Sequence, residues 1–442
     1  MIGIYSILPS LILLFLIAFV ELAINKRRRI FNSLSVVNIT FAVCYALTPM
    51  LLMVFRENIE LALWMKKNPL TEKYYLIASI FSLIGYVFLV LSYLISRRVK
   101  MDSLSNFQWN KIRMDKVFIL NNIFGLIGLS SLMILIIEAG GVLEYLQVGI
   151  IIRNADQAVL EYGFLTNIVT VLAYCAFLAY GLFLDSKSSR YKRINFVLFI
   201  LYASTALLVL FNRAGRLSLI LFFITFIIIR LLKTKKLYIK SLALIMITFY
   251  FFTVFGKRIF HYFVLDDFAL PEVSLFESLQ RILLDFSFPF FTLANAIKYS
   301  FFDGVPRLFI DFYIGIFNLI PNSLISKFGM DKLTTETELN TASFGGLSGI
   351  PVDFLSLGYY SFGLAGILIT CIILGSSLAI LEKIFANIDT NLAYIFYFRI
   401  IVFIALFIPY AGPTNLFKNN FMFIILGLCL MMLAYKKKQP IK

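Results

Sequence analysis

The stretch "VLFNRAGRLSLILFFITFIIIRLLKTKK", Val209 to Lys236, holds the fold in miniature: hydrocarbon, a tight turn with two arginines, more hydrocarbon, then a basic tail. A long apolar run closed by Lys and Arg reads as a membrane span whose end is held at the headgroups. Arg230 and the lysines after it are that anchor. Arg213 and Arg216 are different, because they place two permanent cations and no acid in a turn between two spans.

Outward from this turn the chain keeps the same character. It has 442 residues, 61% of them apolar, and a mean hydropathy of +0.90, where soluble domains are about 45–50% apolar. The pattern predicts about eleven spans (range 11–14), at 3–23, 34–55, 74–95, 117–137, 163–184, 194–211, 217–232, 241–256, 355–380, 390–411 and 419–435. The expected fold is an all-α polytopic membrane protein, with residues 1–442 forming a single membrane domain. No internal repeat divides it.

The charges predict an orientation. Of the 40 Lys and Arg, 24 fall in alternate connections, such as Lys26 to Arg29, Lys187 to Arg193 and the tail from Lys436, and 6 of the 24 Asp and Glu accompany them. Cytoplasmic connections are the ones enriched in Lys and Arg, so the N-terminus is expected outside and the C-terminus in the cytoplasm. The first span is followed by Lys and Arg and lacks a cleavage site, which predicts a retained span. The net charge of +16 is therefore mostly a topology signal, and no nucleic-acid partner is expected. Cys44, Cys175, Cys371 and Cys429 lie inside apolar runs and read as small hydrophobes. There is one histidine, which excludes multi-histidine metal sites, and no P-loop, dinucleotide fingerprint, HExxH or Asp-x-Asp pair is present. Neither a metal nor a cofactor is expected.

The outside connections are unequal. Residues 257–354, between the eighth and ninth spans, form a large predicted extracytoplasmic loop. Its stretches "SLQRILLDFSFPFFTLANAIKYSFF" (278–302) and "RLFIDFYIGIFNLIPNSLI" (307–325) are aromatic-rich with isolated charges, and read as amphipathic helices lying on the membrane face. Two further spans are the alternative, although "DGVPR" between them is a poor cytoplasmic turn. The segment from Gly329 to Phe354 is polar and glycine-bearing, and reads as mobile. A second outside loop, Glu138 to Gly163, has a double-glycine helix stop and carries Arg153.

Arg153, Arg213, Arg216, Lys257 and Arg258 all map to the same outer edge. Guanidinium groups bind phosphate through paired hydrogen bonds without a metal, so this set suits a phosphate or pyrophosphate at the membrane surface. The plainer alternative is that Arg213 and Arg216 cap a hairpin at the headgroups. His261 follows the Lys257–Arg258 pair and is a candidate general base or a structural histidine. Asp266, Asp267, Asp285, Asp311 and Asp353 are loop acids suited to taking a proton from a hydroxyl, or to capping and solvation. Arg281 and Asp285 stand at i,i+4, where they can pair with each other. Arg399 lies within a hydrocarbon span and is expected to face protein or a cavity.

With these features in place, the chain resembles a known family over most of its length. The loop "GGVLEYLQVGIIIR" (140–153), the turn "NRAGR" (212–216) and the stretch "FGGLSGIPVDFLSLGYYSFGLAGILI" (344–369) are similar to the bacterial O-antigen and capsular oligosaccharide repeat-unit polymerases, the Wzy type. That resemblance implies a GT-C-like fold in the bacterial cytoplasmic (inner) membrane. It also implies polymerisation of undecaprenyl-pyrophosphate-linked repeat units into surface polysaccharide, capsule or lipopolysaccharide O-antigen, at the outer face and without a metal. The partners it implies are those lipid-linked oligosaccharides and membrane lipid, with room for a chain-length regulator protein. Arg213, Arg216 and Arg258, with Lys257 and Arg153, would hold the pyrophosphate; His261, Asp353 or Asp285 would take the acceptor proton. The interval from Arg153 to Gly163 is shorter than the family's arginine-to-glycine spacing, so the turn arginines match better. An O-antigen ligase-type transferase and a lipid-linked oligosaccharide flippase are the alternative readings.

Overall fold

Backbone amides in hydrocarbon have no water to bond, so each apolar run must close on itself as a helix. The computed structural model describes residues 4–24, 32–54, 70–100, 107–155, 160–213, 215–234, 239–265, 275–299, 306–317, 319–320, 325, 327, 333–344 and 350–435. The described residues are helical and contain no strand. In chain order the α-helices of seven residues or more are α1 (Ile4–Ile24), α2 (Ser33–Phe41), α3 (Thr48–Val54), α4 (Glu72–Arg98), α5 (Met114–Ala139), α6 (Val142–Ala155), α7 (Val171–Asp185) and α8 (Ser189–Asn212). They continue as α9 (Arg216–Thr234), α10 (Ile239–Leu265), α11 (Leu275–Tyr299), α12 (Ile310–Phe317), α13 (Glu336–Ser343), α14 (Phe354–Ile384), α15 (Asn391–Ile401) and α16 (Pro413–Ala434).

Among the described residues, eight helical stretches are long and apolar enough to cross a membrane: Ser33–Leu52, Glu72–Arg98, Met114–Ala139, Leu165–Asp185, Ser189–Asn212, Arg216–Thr234, Phe354–Ile384 and Asn391–Ala411. Shorter apolar helices, Ile7–Ala23, Ile239–Phe252 and Asn420–Ala434, fall on the three remaining predicted spans. Phe15, Phe19 and Leu22 on α1, and Met133 and Ile137 on α5, stand exposed at helical spacing. Such stripes are a liability in water and are at home against acyl chains, which are as apolar as leucine. The protein is a polytopic helical membrane protein.

The chain divides into two compact units. The first comprises Met1–Lys100, Ser274–Lys383 and Ile401–Lys418. In it, α2 is capped by Asn32, whose side chain accepts from the Ser35 N–H at 2.8 Å, and runs into a π-helical turn over Ala42–Leu47. A second π-helical turn covers Val402–Phe407, and the Thr40 hydroxyl donates to the Ala405 carbonyl beside it at 3.2 Å. Widened turns of this kind re-aim side chains; here the first one carries Tyr45, whose hydroxyl donates to Asp353.

Two features of this unit differ from the sequence expectation. The predicted span 355–380 is not one continuous helix: α14 breaks at Phe362 and Gly363, where Gly363 has φ 61° and ψ −140°. That backbone region is closed to residues with a Cβ. The break reverses the chain so sharply that a Cβ on Gly366 would lie 1.9 Å from the Gly358 carbonyl oxygen, whereas i and i+8 in a straight helix are separated by about 12 Å. Secondly, α11 is not a surface helix over its second half. Every residue from Pro289 to Ile297 is buried, while a helix lying on a membrane face exposes one side. Its aromatic rings fill the unit instead, with Tyr75 of α4 packed against Phe290 and Phe291.

The described parts of the late loop are tied into the same unit. Thr335 and Glu338 form a capping box at the start of α13, and Arg307 pairs with the buried Asp311. Asn295 of α11 donates to Asn340 and to Ser343 at 3.3 and 2.7 Å, and Tyr360 donates to Asn340. Ordered polar bonds of this kind join α11, α13 and α14. Gly345, Gly346 and Gly349 lie outside the described residues.

The second unit comprises Met101–Val273, Ile384–Ile400 and Asn419–Lys442. Here α7 packs against α5 and α8, and α9 against α10. Rings from α7, α8 and α9 pack together, with Phe226 against Phe177, Tyr180 and Phe199. Helix α10 continues to Leu265, so the loop predicted from residue 257 begins inside a helix.

Candidate functional site

The arginine turn lies in the second unit, and three elements converge on it. Helix α5 ends at the double glycine, where Gly140 (φ 95°) and Gly141 (φ 153°) turn the chain into α6. Helix α6 then crosses the end of α8 at close range: a Cβ on Gly149 would lie 2.2 Å from the Asn212 carbonyl oxygen. The Asn212 side chain donates to the Tyr145 carbonyl, locking the crossing. The third element is the one-turn helix Leu165–Ile168 that leads into α7.

Arg213 is the C-cap of α8. Its guanidinium donates to the Thr166 carbonyl at 2.7 Å and to the Asn167 side-chain oxygen at 3.1 Å. Both bonds use one terminal nitrogen of the guanidinium. The side chain is half-buried, and desolvation lowers its pKa, partly countered by the nearby Tyr145 and Tyr174 hydroxyls; a guanidinium stays charged regardless. Among the described residues the buried Tyr145 hydroxyl has no hydrogen-bond partner. Burial pushes that phenol up to about 12, with the Arg213 charge pulling it back. Arg216 is the first residue of α9 and is half-buried. The turn thus places Arg213 and Arg216 three residues apart at the amino end of a 19-residue helix, where the helix dipole favours an anion.

The other predicted cations sit on neighbouring elements. Helix α6, which carries Arg153, packs against α8 and α10, and α10, which carries Lys257, Arg258 and His261, packs against α9. The side chains of Arg153, Lys257, Arg258 and His261 lie outside the described residues, as does that of Arg281. Asp266 and Asp267 lie outside them altogether.

The candidate acids belong to the first unit. Asp353 is completely buried at the start of α14. Its carboxylate accepts from the Leu355 and Ser356 N–H groups at 3.1 and 3.3 Å, and from the Ser356 and Tyr45 hydroxyls. That is the geometry of a helix N-cap. Burial pushes its pKa up to about 6, against the lowering pull of the Ser356 and Tyr45 bonds. Asp285 is half-buried on α11, and its backbone carbonyl accepts from the Tyr410 hydroxyl at 2.8 Å. Asp311 is the buried partner of Arg307.

Arg399 of α15 is buried in the second unit, with its guanidinium 5.3 Å from the centre of the Tyr174 ring and 5.0 Å from that of Phe177. Sequence reasoning did not single out Tyr145, Asn167 or Asn212. Nothing local marks them, because their roles come from α6 and the 165–168 turn meeting the end of α8. Comparison with models of protein families, with curated protein sequences and with solved structures finds no match. The site is therefore read from its own geometry.

Proposed function

We propose that the protein is a membrane glycosyltransferase of GT-C-like architecture that polymerises undecaprenyl-pyrophosphate-linked oligosaccharide repeat units into surface polysaccharide. In this reading it resides in the bacterial cytoplasmic membrane with its N-terminus outside, and works at the outer face. The supporting observation is the acid-free turn in which Arg213, held by Thr166 and Asn167, stands three residues before Arg216 at the amino end of α9. A diphosphate at a lipid surface is the ligand chemistry that two guanidinium groups and a helix amino end recognise together.

In the proposed reaction an acceptor hydroxyl attacks the anomeric carbon of the donor with inversion. The new carbon–oxygen bond forms as the bond to the pyrophosphate oxygen breaks, and undecaprenyl pyrophosphate leaves as the anion. Arg213 and Arg216, with Lys257, Arg258 and Arg153 from the adjoining helices, stabilise charge growing on that leaving oxygen. Each well-placed donor contributes about 3–4 kcal/mol in such sites. His261, on α10 of the same unit, takes the acceptor proton. Asp353 is better suited to its capping role, since both carboxylate oxygens are already engaged. Holding two lipid-tethered substrates in one membrane plane supplies the orientation term.

The test is an Arg216→Ala chain that still reaches the membrane in normal amount. The expected result is a loss of polymer by roughly 10²–10³-fold in rate, with lipid-linked single repeats accumulating. An unchanged chain-length distribution would remove the turn from the mechanism. Accumulation of full-length lipid-linked chains would instead identify a ligase.

A further inference from the structure

One group of exposed cations in the second unit is gathered across two separate connections. Helices α5 and α8 begin at the same end of that unit: the rings of Phe118 and Tyr191, each in the opening turns of its helix, meet edge to face with centres 6.4 Å apart. The contact joins the segment carrying Lys116 to the one carrying Lys187, Arg190, Lys192 and Arg193. All five cations are exposed, and among the described residues none is paired with a carboxylate. The adjacent acids are engaged elsewhere. Asp115 pairs with Arg113 at 2.6 Å, and Asp185 accepts from the Asn391 and Leu392 N–H groups at 3.0 and 2.9 Å, at the start of α15. Lys192 stands over the Phe183 ring at 5.4 Å, which supplies no counter-charge.

Apolar surface continues from these cations along the same helices. Tyr191, Ile194 and Val197 are exposed at helical spacing on α8, as are Ile119 and Ile123 on α5. Orientation in the membrane requires only an excess of Lys and Arg in a connection. It does not require cations from two connections to be joined, with the nearby acids withdrawn. A purely cationic face would suit any polyanion, but one that turns apolar over the next helical turns suits a ligand with an anionic head and hydrocarbon tails. Basic surfaces at the ends of membrane helices draw such headgroups. We propose that the joined starts of α5 and α8 bind an anionic phospholipid, its phosphate headgroup among the five cations and its acyl chains along the exposed apolar residues that follow. The site lies the length of the 24-residue α8 away from Arg213, about 36 Å, and is independent of the glycosyl-transfer reading.

The test is thermal unfolding of the full-length chain in neutral detergent, titrated with phosphatidylglycerol, with phosphatidylcholine or with inorganic phosphate. The wild type is expected to be stabilised saturably by phosphatidylglycerol and by neither of the others. Arg190→Gln combined with Arg193→Gln is expected to raise the half-saturating phosphatidylglycerol concentration by roughly 30-fold, the effect of removing two cations from a lipid surface. Lys233→Gln combined with Lys240→Gln removes the same charge from exposed positions on α9 and α10, and is expected to leave it unchanged. Equal stabilisation by both lipids overturns the proposal, as does an equal loss in the two variants or a matching response to inorganic phosphate. Should the Arg190/Arg193 variant fail to fold, a photoreactive phosphatidylglycerol decides on the wild type. Labels concentrated on the opening turns of α5 and α8 support the site, and labels spread over all helix ends reject it.

Discussion

Arg213 and Arg216 are three residues apart yet differently placed. Arg213 is partly immobilised by bonds to Thr166 and Asn167, which lowers the entropy its side chain loses when a ligand binds. Asp353 shows how burial sets a charge's behaviour. Its carboxyl, pushed up to about 6 by burial from a usual 3.8, holds a proton more tightly than the unfolded chain does. Protonation therefore favours the fold: the benefit is complete below about pH 4 and is lost as pH rises through about 6. It amounts to something on the order of 3 kcal/mol. Asparagine also caps helices well, so Asp353→Asn should keep the α14 cap and abolish the titration. The melting temperature of the wild type should fall between pH 5 and 7 while that of Asp353→Asn stays level; parallel curves would show that another group titrates.

Helix α14 raises the corresponding question for an element. Hydropathy over 355–380 is uniformly apolar, and a glycine in such a run is as compatible with a straight helix as with a break. What decides is the backbone at Gly363, whose φ and ψ admit no side chain even though nothing lies within 4 Å of where its Cβ would be. Gly363→Ala should thus lower stability by about 1–3 kcal/mol through backbone strain alone. Gly427→Ala on α16, where the added Cβ meets the Phe396 ring at an ordinary 3.4 Å, should be neutral or stabilising. Equal effects in thermal unfolding would argue against the reversal. Helix α11 makes a related point. Its mixed charges and aromatics resemble an interfacial helix in one dimension, but Asn295 and Thr292 are buried, and Asn295 is satisfied by Asn340 and Ser343, some 45 residues away. Partners so remote leave no local trace.

For the whole molecule, the orientation predicted from charge is open to direct measurement. With Arg216→Cys, a membrane-impermeant maleimide should react on intact cells, and with Lys240→Cys only after permeabilisation. The reverse pattern would place the turn in the cytoplasm and end the proposed chemistry. The sequence alone determined that the chain is a helical membrane protein, the approximate limits of its apolar helices and the presence of an acid-free arginine turn. Transfer of apolar groups from water is nearly additive along the chain, so short windows suffice to read it. Only the tertiary structure decided that α14 doubles back at Gly363, that the second half of α11 is core, that Asp353 caps a helix and that Arg399 faces two rings. The core position of α11, the Tyr45 bond to Asp353 and the setting of Arg399 depend on contacts between residues far apart in the chain, which exist only once the helices have packed; the reversal of α14 is a backbone choice at Gly363 that hydropathy does not register.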